Sequence, residues 1–259
     1  VPDAFFVPQD DAFMATELTR GPWSPVHQHA GPPAALIGRQ IERTVGAGWH
    51  IGRVTLEILR AVPMGLVSVD AEVVRPGRTV QLVEATLDDE TGPVILARAW
   101  AIKQVPVEFL EPRPGVDITP EPPETGELKP FFPTGSDVGY HTATEVRFLE
   151  GAFREPGPAR AWISAKAELV AGEGYTPLTR VLLAADTGNG VSSPLDYRRY
   201  VFINTDLTVT LRRPLEGDAV LLDSVTYPDA SGAGLTDTAL FDRRGRIGRA
   251  VQTLVITAR

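Results

Sequence analysis

Short stretches of strict apolar/polar alternation recur along the 259-residue chain. Val54, Leu56 and Ile58 alternate with Thr55 and Glu57, and Val67, Val69, Ala71 and Val73 with Ser68, Asp70 and Glu72. Further on, Ala161, Ile163, Ala165 and Ala167 alternate with Trp162, Ser164 and Lys166, and Leu207, Val209 and Leu211 with Thr208 and Thr210. Successive strand side chains point to opposite faces, so each run predicts a half-buried strand. Two segments have helical character instead. Gly31-Pro32-Pro33 opens one in which Ala34, Ile37 and Ile41 share a face, with proline well placed in the first turn. Thr176-Pro177 offers a cap and first-turn proline for Leu178 to Ala185, an almost wholly apolar run that must be buried on most sides.

Between Gln104 and Tyr140 eight prolines fall among acidic and polar residues. Proline at that density cannot sit inside helices or sheets. The segment is expected to be a surface linker (104–140) between one half at 1–103 and another at 141–259. The halves also show a faint repeat. Arg60, Gly65, Val73 and Pro76 match Arg212, Gly217, Val225 and Pro228 at a separation of 152, and Leu87, Asp89, Gly92 and Ala97 match Leu240, Asp242, Gly245 and Ala250 at 153. These identities keep the order strand, turn, strand, including the Asp-x-x-Gly hairpin signals. One helix followed by a meander of antiparallel strands, repeated once, predicts an α+β chain of two tandem hotdog folds, each an antiparallel sheet wrapped around a helix. The two sheets should pack side by side as single hotdogs do between chains, with further pairing into a dimer of double hotdogs.

Composition narrows the chemistry. With no cysteine, thiolate catalysis and disulfide scaffolds are excluded. A net charge of −8 argues against a nucleic-acid partner, although a local positive patch around Arg198, Arg199, Arg212 and Arg213 could still meet one anionic ligand; these arginines could equally be solvated charge. No apolar run approaches the roughly 20 residues of a membrane span, and no export signal precedes the first strand, so a cytoplasmic location is expected. His27 and His29 lack a nearby third ligand, no Gly-x-Ser-x-Gly elbow exists, and Gly188-Asn189-Gly190 reads as a turn; no metal or cofactor is expected.

Two polar residues stand out. Asp186 follows Leu182-Leu183-Ala184-Ala185, where a charge is costly unless paired or used; it is either a helix-terminal Asp making a local turn with Gly188 and Asn189 or a site carboxylate. Gln252 shares a strand face with Ala250, Leu254 and Ile256, and is either a satisfied core amide or a site residue. Such groups can orient and partly deprotonate a water for hydrolysis.

The stretch Gly21-Pro22-Trp23-Ser24-Pro25 through Gln28-His29-Ala30-Gly31-Pro32-Pro33-Ala34-Ala35-Leu36, then Phe202-Ile203-Asn204-Thr205-Asp206-Leu207-Thr208-Val209 and Leu211-Arg212-Arg213-Pro214, resembles the type II, double-hotdog acyl-CoA thioesterases from about Gly21 onward. The resemblance implies hydrolysis of fatty acyl-CoA by a water that an Asp, a Thr and a Gln of the second hotdog position. The Asp falls on Asp186 and the Gln on Gln252. The Thr position falls on Asn204, a departure from the pattern; a one-residue slip would put Thr205 there instead and reverse the sheet face. His29, next to Gly31 at a helix start, resembles a position near the thioester in single-hotdog enzymes and is expected to line the pocket, and His29, Gly31 and Thr205 are expected to bind the substrate. The second helix is expected to wall an apolar acyl channel, with arginines facing the CoA phosphates. Two other classes stand beside this reading. A hotdog hydratase or dehydratase would need an Asp–His pair, and no histidine follows Asp186. A non-catalytic acyl-binding protein would lack a water-activating carboxylate.

Overall fold

The computed structural model describes residues 3–108 and 118–259. In the first half β1 (Ala4–Gln9) and β2 (Ala12–Ala15) precede α1 (Gly31–Val45), followed by β3 (Trp49–Ile58), β4 (Leu66–Arg75), β5 (Val80–Asp89) and β6 (Gly92–Lys103). The second half holds β7 (Glu127–Leu128), α2 (Tyr140–Ala143), β8 (Thr144–Ala152), β9 (Glu155–Ala165) and β10 (Glu168–Val170). It continues with α3 (Pro177–Ala185), α4 (Gly188–Val191), β11 (Tyr200–Asn204), β12 (Asp206–Leu211), β13 (Ala219–Pro228), β14 (Ala233–Asp242) and β15 (Gly245–Ala258). These strands join one sheet in the order β10-β1-β2-β4-β5-β6-β3-β12-β15-β14-β13-β9-β8-β7, with β11 also on β15. Each half is a hotdog, and the halves lie side by side through the antiparallel pair β3–β12. Thr55 there faces Thr208, its own counterpart 153 residues on.

Local sequence explains both long helices. Pro32 and Pro33 occupy the first turn of α1, and Gly46 ends it with φ +74°. Thr176 caps α3: its hydroxyl accepts from the Thr179 N–H while the Thr179 hydroxyl accepts from the Thr176 N–H. The apolar faces of α1 and α3 pack on each other and on the concave sheet in one core. Gly31 allows this crossing, since a Cβ there would lie 2.4 Å from the Leu183 carbonyl oxygen.

The duplicated hairpins carry a matching ion pair, and it corrects the alignment of the repeat. Arg60 grips Asp89 at 2.7 and 2.8 Å and the Gly92 carbonyl at 2.9 Å. In the second half Arg213 does the same to Asp242 and Gly245, while Arg212 donates to the Arg246 carbonyl at 2.8 Å. Arg60 therefore corresponds to Arg213, at 153 residues, and not to Arg212. Hydrogen bonds from Arg60 and Thr91 hold the Asp89 carboxyl below its ordinary pKa. At Asp242 burial pulls upward, but Arg213 and two backbone N–H groups outweigh it and lower the pKa.

Three further expectations meet differences. Trp162 faces away from the core yet is buried, because the chain near Glu121 covers it and the Glu121 carbonyl accepts its Nε1–H at 2.9 Å. Gly188-Asn189-Gly190 is not a plain turn but begins α4. The proline-rich segment, of which 109–117 lies outside the described residues, is more than a surface crossing: β7 extends the sheet beside β8, and Phe132 is buried.

Candidate active site

The end of α3 delivers Asp186 as its C-cap residue, and the short α4 follows at once. Burial leaves Asp186 only 4% exposed. Its Oδ1 accepts from Asn204 Nδ2 at 2.9 Å, and Gln252 Nε2 lies 3.4 Å from Oδ1 and 3.2 Å from the Asp186 carbonyl oxygen. The other end of the Gln252 amide, Oε1, accepts the Asn189 N–H at 3.1 Å. Gln252 is thus clamped between the carboxylate and α4, with its orientation set by the backbone. Gly188 makes the approach possible, because a Cβ there would come within 2.7 Å of Thr238 Oγ1 and 3.1 Å of Gln252 Oε1.

The second carboxylate oxygen, Oδ2, lies 3.1 Å from Nδ1 of His29, which the first half supplies just before α1. The imidazole stacks on Tyr140, with ring centroids 3.8 Å apart and planes 6° from parallel. Tyr140 in turn donates to the Leu183 carbonyl at 2.8 Å and meets Thr187 Oγ1 at 2.9 Å. The Gly31 N–H also approaches His29 Nδ1, at 3.0 Å. That N–H needs a lone pair on Nδ1, whereas the carboxylate needs a hydrogen there; only one is met in a given protonation state. Burial pulls the His29 pKa below its ordinary value against the opposing pull of Asp186, and burial pushes the Tyr140 phenol above its own.

Asp186, Asn204 and His29 line a cavity of about 320 Å³. Of the expected site residues, the fold brings Asp186, Asn204, Gln252 and His29 together. Thr205 points the other way and is exposed, its hydroxyl 3.5 Å from the Thr253 carbonyl, as the strand alternation of Asn204 requires. Gly31 serves helix packing and does not line the cavity. The apolar face of α3 does not wall the cavity either: Leu178, Val181, Leu182 and Leu183 are spent in the core. Aromatic residues take that place, chiefly Trp23, Phe131, Phe132, Tyr140 and Phe153. Arg212 and Arg213 sit at the hairpin, while Lys129 and Lys166 line the cavity. Tyr140, Thr187 and Asn189 carry no sequence signal that marks them, since their roles arise from contacts between segments far apart in the chain.

Comparison with known proteins bears on the fold and the family. The family model of the acyl-CoA thioesterase N-terminal domain matches residues 19–102, and that of the C-terminal domain matches 117–256. No curated protein matches. Among solved structures, a hot dog fold protein of unknown function from Alicyclobacillus acidocaldarius superposes with a TM-score of 0.74 at 14% identity, covering 99% of this chain and 97% of that one. The acyl-CoA thioesterase II TesB2 of Mycobacterium marinum gives 0.64 at 14% identity over 97% and 93%. The TesB protein of Mycobacterium avium subspecies paratuberculosis gives 0.63 at 16% over 95% and 93%. These likenesses speak for the double-hotdog fold, and the two domain matches, which together span most of the sequence, show that the chain belongs to the acyl-CoA thioesterase family.

Proposed function

We propose that the protein hydrolyses fatty acyl-CoA to free acid and CoA through a water that Asp186 orients and deprotonates. The observation that carries this reading is the buried carboxylate beside the cavity, held by the amides of Asn204 and Gln252. Amide donors on Oδ1 fix the direction of the carboxylate, which a general base requires. His29, with hydrogen on Nδ1, steadies Oδ2 from the other side. The water oxygen bonds to the thioester carbon, its proton passes to Asp186, the C–S bond breaks, and the departing CoA thiolate receives the proton. The test is release of free CoA, followed with a thiol reagent across a series of acyl chain lengths. Turnover at any length supports hydrolysis, and none at any length rejects it.

The contact between His29 and Asp186 favours one second reading. An Asp–His pair is what hydration of a 2-enoyl thioester uses, with the carboxylate activating water toward Cβ and the imidazole handling the proton at Cα. A histidine from the first half fills the place that the second half leaves empty in sequence, so the absence of histidine after Asp186 does not count against this chemistry. A 2-enoyl-CoA separates the two: loss of its conjugated absorbance without thiol release favours hydration, and thiol release favours hydrolysis.

A further inference from the structure

A second cavity, of about 240 Å³, adjoins the first, and the two share Phe132, Phe153 and Gly190 as lining. Tyr197, Phe202 and Leu195 also face this second space, together with Arg154 and Arg198. Both cations are engaged: Arg154 donates twice to the Phe131 carbonyl, at 2.6 and 3.0 Å, and Arg198 lies over the Tyr197 ring at 5.6 Å. Phe132 is only 6% exposed and packs among rings, with centroids at 4.2 Å to Phe131, 5.2 Å to Tyr197, 5.9 Å to Trp23 and 6.3 Å to Phe153. Its backbone is anchored as well. The Arg154 bonds hold Phe131, Lys129 Nζ donates to the Gly151 carbonyl at 2.9 Å, and β7 pairs with β8. Swinging Phe132 aside would break several aromatic contacts together, which makes it a fixed wall and not a gate.

We propose that Phe132 is a specificity-determining residue: its ring closes the acyl end of the active-site cavity and limits the length of chain accepted. The inference rests on the hydrolytic reading and adds to it which residue sets the substrate class, namely acyl groups short enough to end at this partition. The space beyond is large enough to matter, since a methylene occupies about the volume of a water, roughly 30 Å³. Removing the ring would open room for several more carbons. Gly190 supplies an independent handle, because a Cβ built there meets nothing within 4 Å and its backbone is not left-handed. A side chain at that position would project into open space at the junction.

The test is the profile of kcat/KM against acyl length, from butanoyl- to hexadecanoyl-CoA, for wild type, Phe132→Leu, Phe132→Ala and Phe132→Ala/Gly190→Leu. The expected result is an optimum that moves to longer chains in Phe132→Ala, with long-chain substrates gaining roughly tenfold or more relative to short ones. Phe132→Leu, the variant that keeps most of the packing, should move part of the way, and the added Gly190→Leu should bring the profile back. An unchanged length profile in a Phe132→Leu or Phe132→Ala protein that melts cooperatively overturns the proposal. So does a KM change common to all CoA thioesters but absent from N-acetylcysteamine thioesters, which would assign the second cavity to the CoA moiety. If wild type cleaves no thioester at all, the hydrolytic reading fails by itself, and calorimetric binding of the same acyl-CoA series still tests the partition by the same shift in length preference.

Discussion

His29 Nδ1 and Asp186 Oδ2 meet at 3.1 Å although 157 positions separate them and they belong to different halves of the chain. The contact joins a residue two positions before α1 to the C-cap residue of α3, so it exists only when the two hotdogs are packed together. His29→Gln should lower kcat by about tenfold to a hundredfold with little effect on KM, because it leaves the carboxylate in place and removes one group that steadies it. A rise in KM alone would place His29 in substrate binding instead.

The same histidine gives a pH dependence of stability. Its folded pKa lies below the ordinary 6.5, so the folded protein favours the neutral ring. The stabilisation is complete above about pH 6.5 and declines as the pH falls from there toward the lowered folded value, because the unfolded chain takes up the proton first. Melting temperature should therefore drop more steeply below about pH 6.5 in wild type than in His29→Gln. His141, also lowered by burial, contributes equally to both proteins and cancels from the comparison. Parallel slopes would mean that His29 is not held neutral.

Asn204 and Thr205 provide a contrast within one strand. Asn204→Ala removes the 2.9 Å donor on Asp186 Oδ1 and should reduce kcat by roughly tenfold or more. Thr205→Ala touches an exposed hydroxyl on the opposite face and should leave turnover near the wild-type value. Equal losses would show that the strand register, and not the amide, matters.

The paired hairpins predict unequal stability effects. Asp242 has a fully buried side chain, so Arg213→Ala strands a buried carboxylate and should cost about 3 kcal/mol, measured by urea unfolding. Arg60→Ala should cost less, since Arg60 is more exposed than Arg213. The lowered pKa of Asp242 also sets a sign. Its contribution is present above the ordinary carboxylate value near 3.8 and lost as the pH falls through the lower folded value. Arg213→Ala should therefore flatten the loss of stability in acid.

Much of this was legible in the residues because the signals are local. Alternation marks Val54 to Ile58 and Leu207 to Leu211 as the strands that become β3 and β12, and Thr176-Pro177 marks the start of α3. Asp186 and Gln252 stand out as polar residues on apolar elements. What stayed hidden depends on contacts between distant segments. No spacing tells His29 that it will meet Asp186, and an apolar helix shows that it is buried without showing whether a neighbouring helix or a cavity buries it. Adjacent arginines at 212 and 213 differ by one position, so only the hairpin contacts decide which one matches Arg60. The prolines near 130 do not reveal that β7 joins the sheet or that Phe131 and Phe132 turn inward to line the cavity.

The central claim is that Asp186 activates the attacking water, and Asp186→Asn tests it most directly by keeping the side-chain shape while removing its basicity. The account predicts that release of CoA from the best acyl-CoA substrate falls by about a hundredfold to ten-thousandfold while acyl-CoA binding, measured by calorimetry, is retained. Full turnover by a correctly folded Asp186→Asn protein would contradict it.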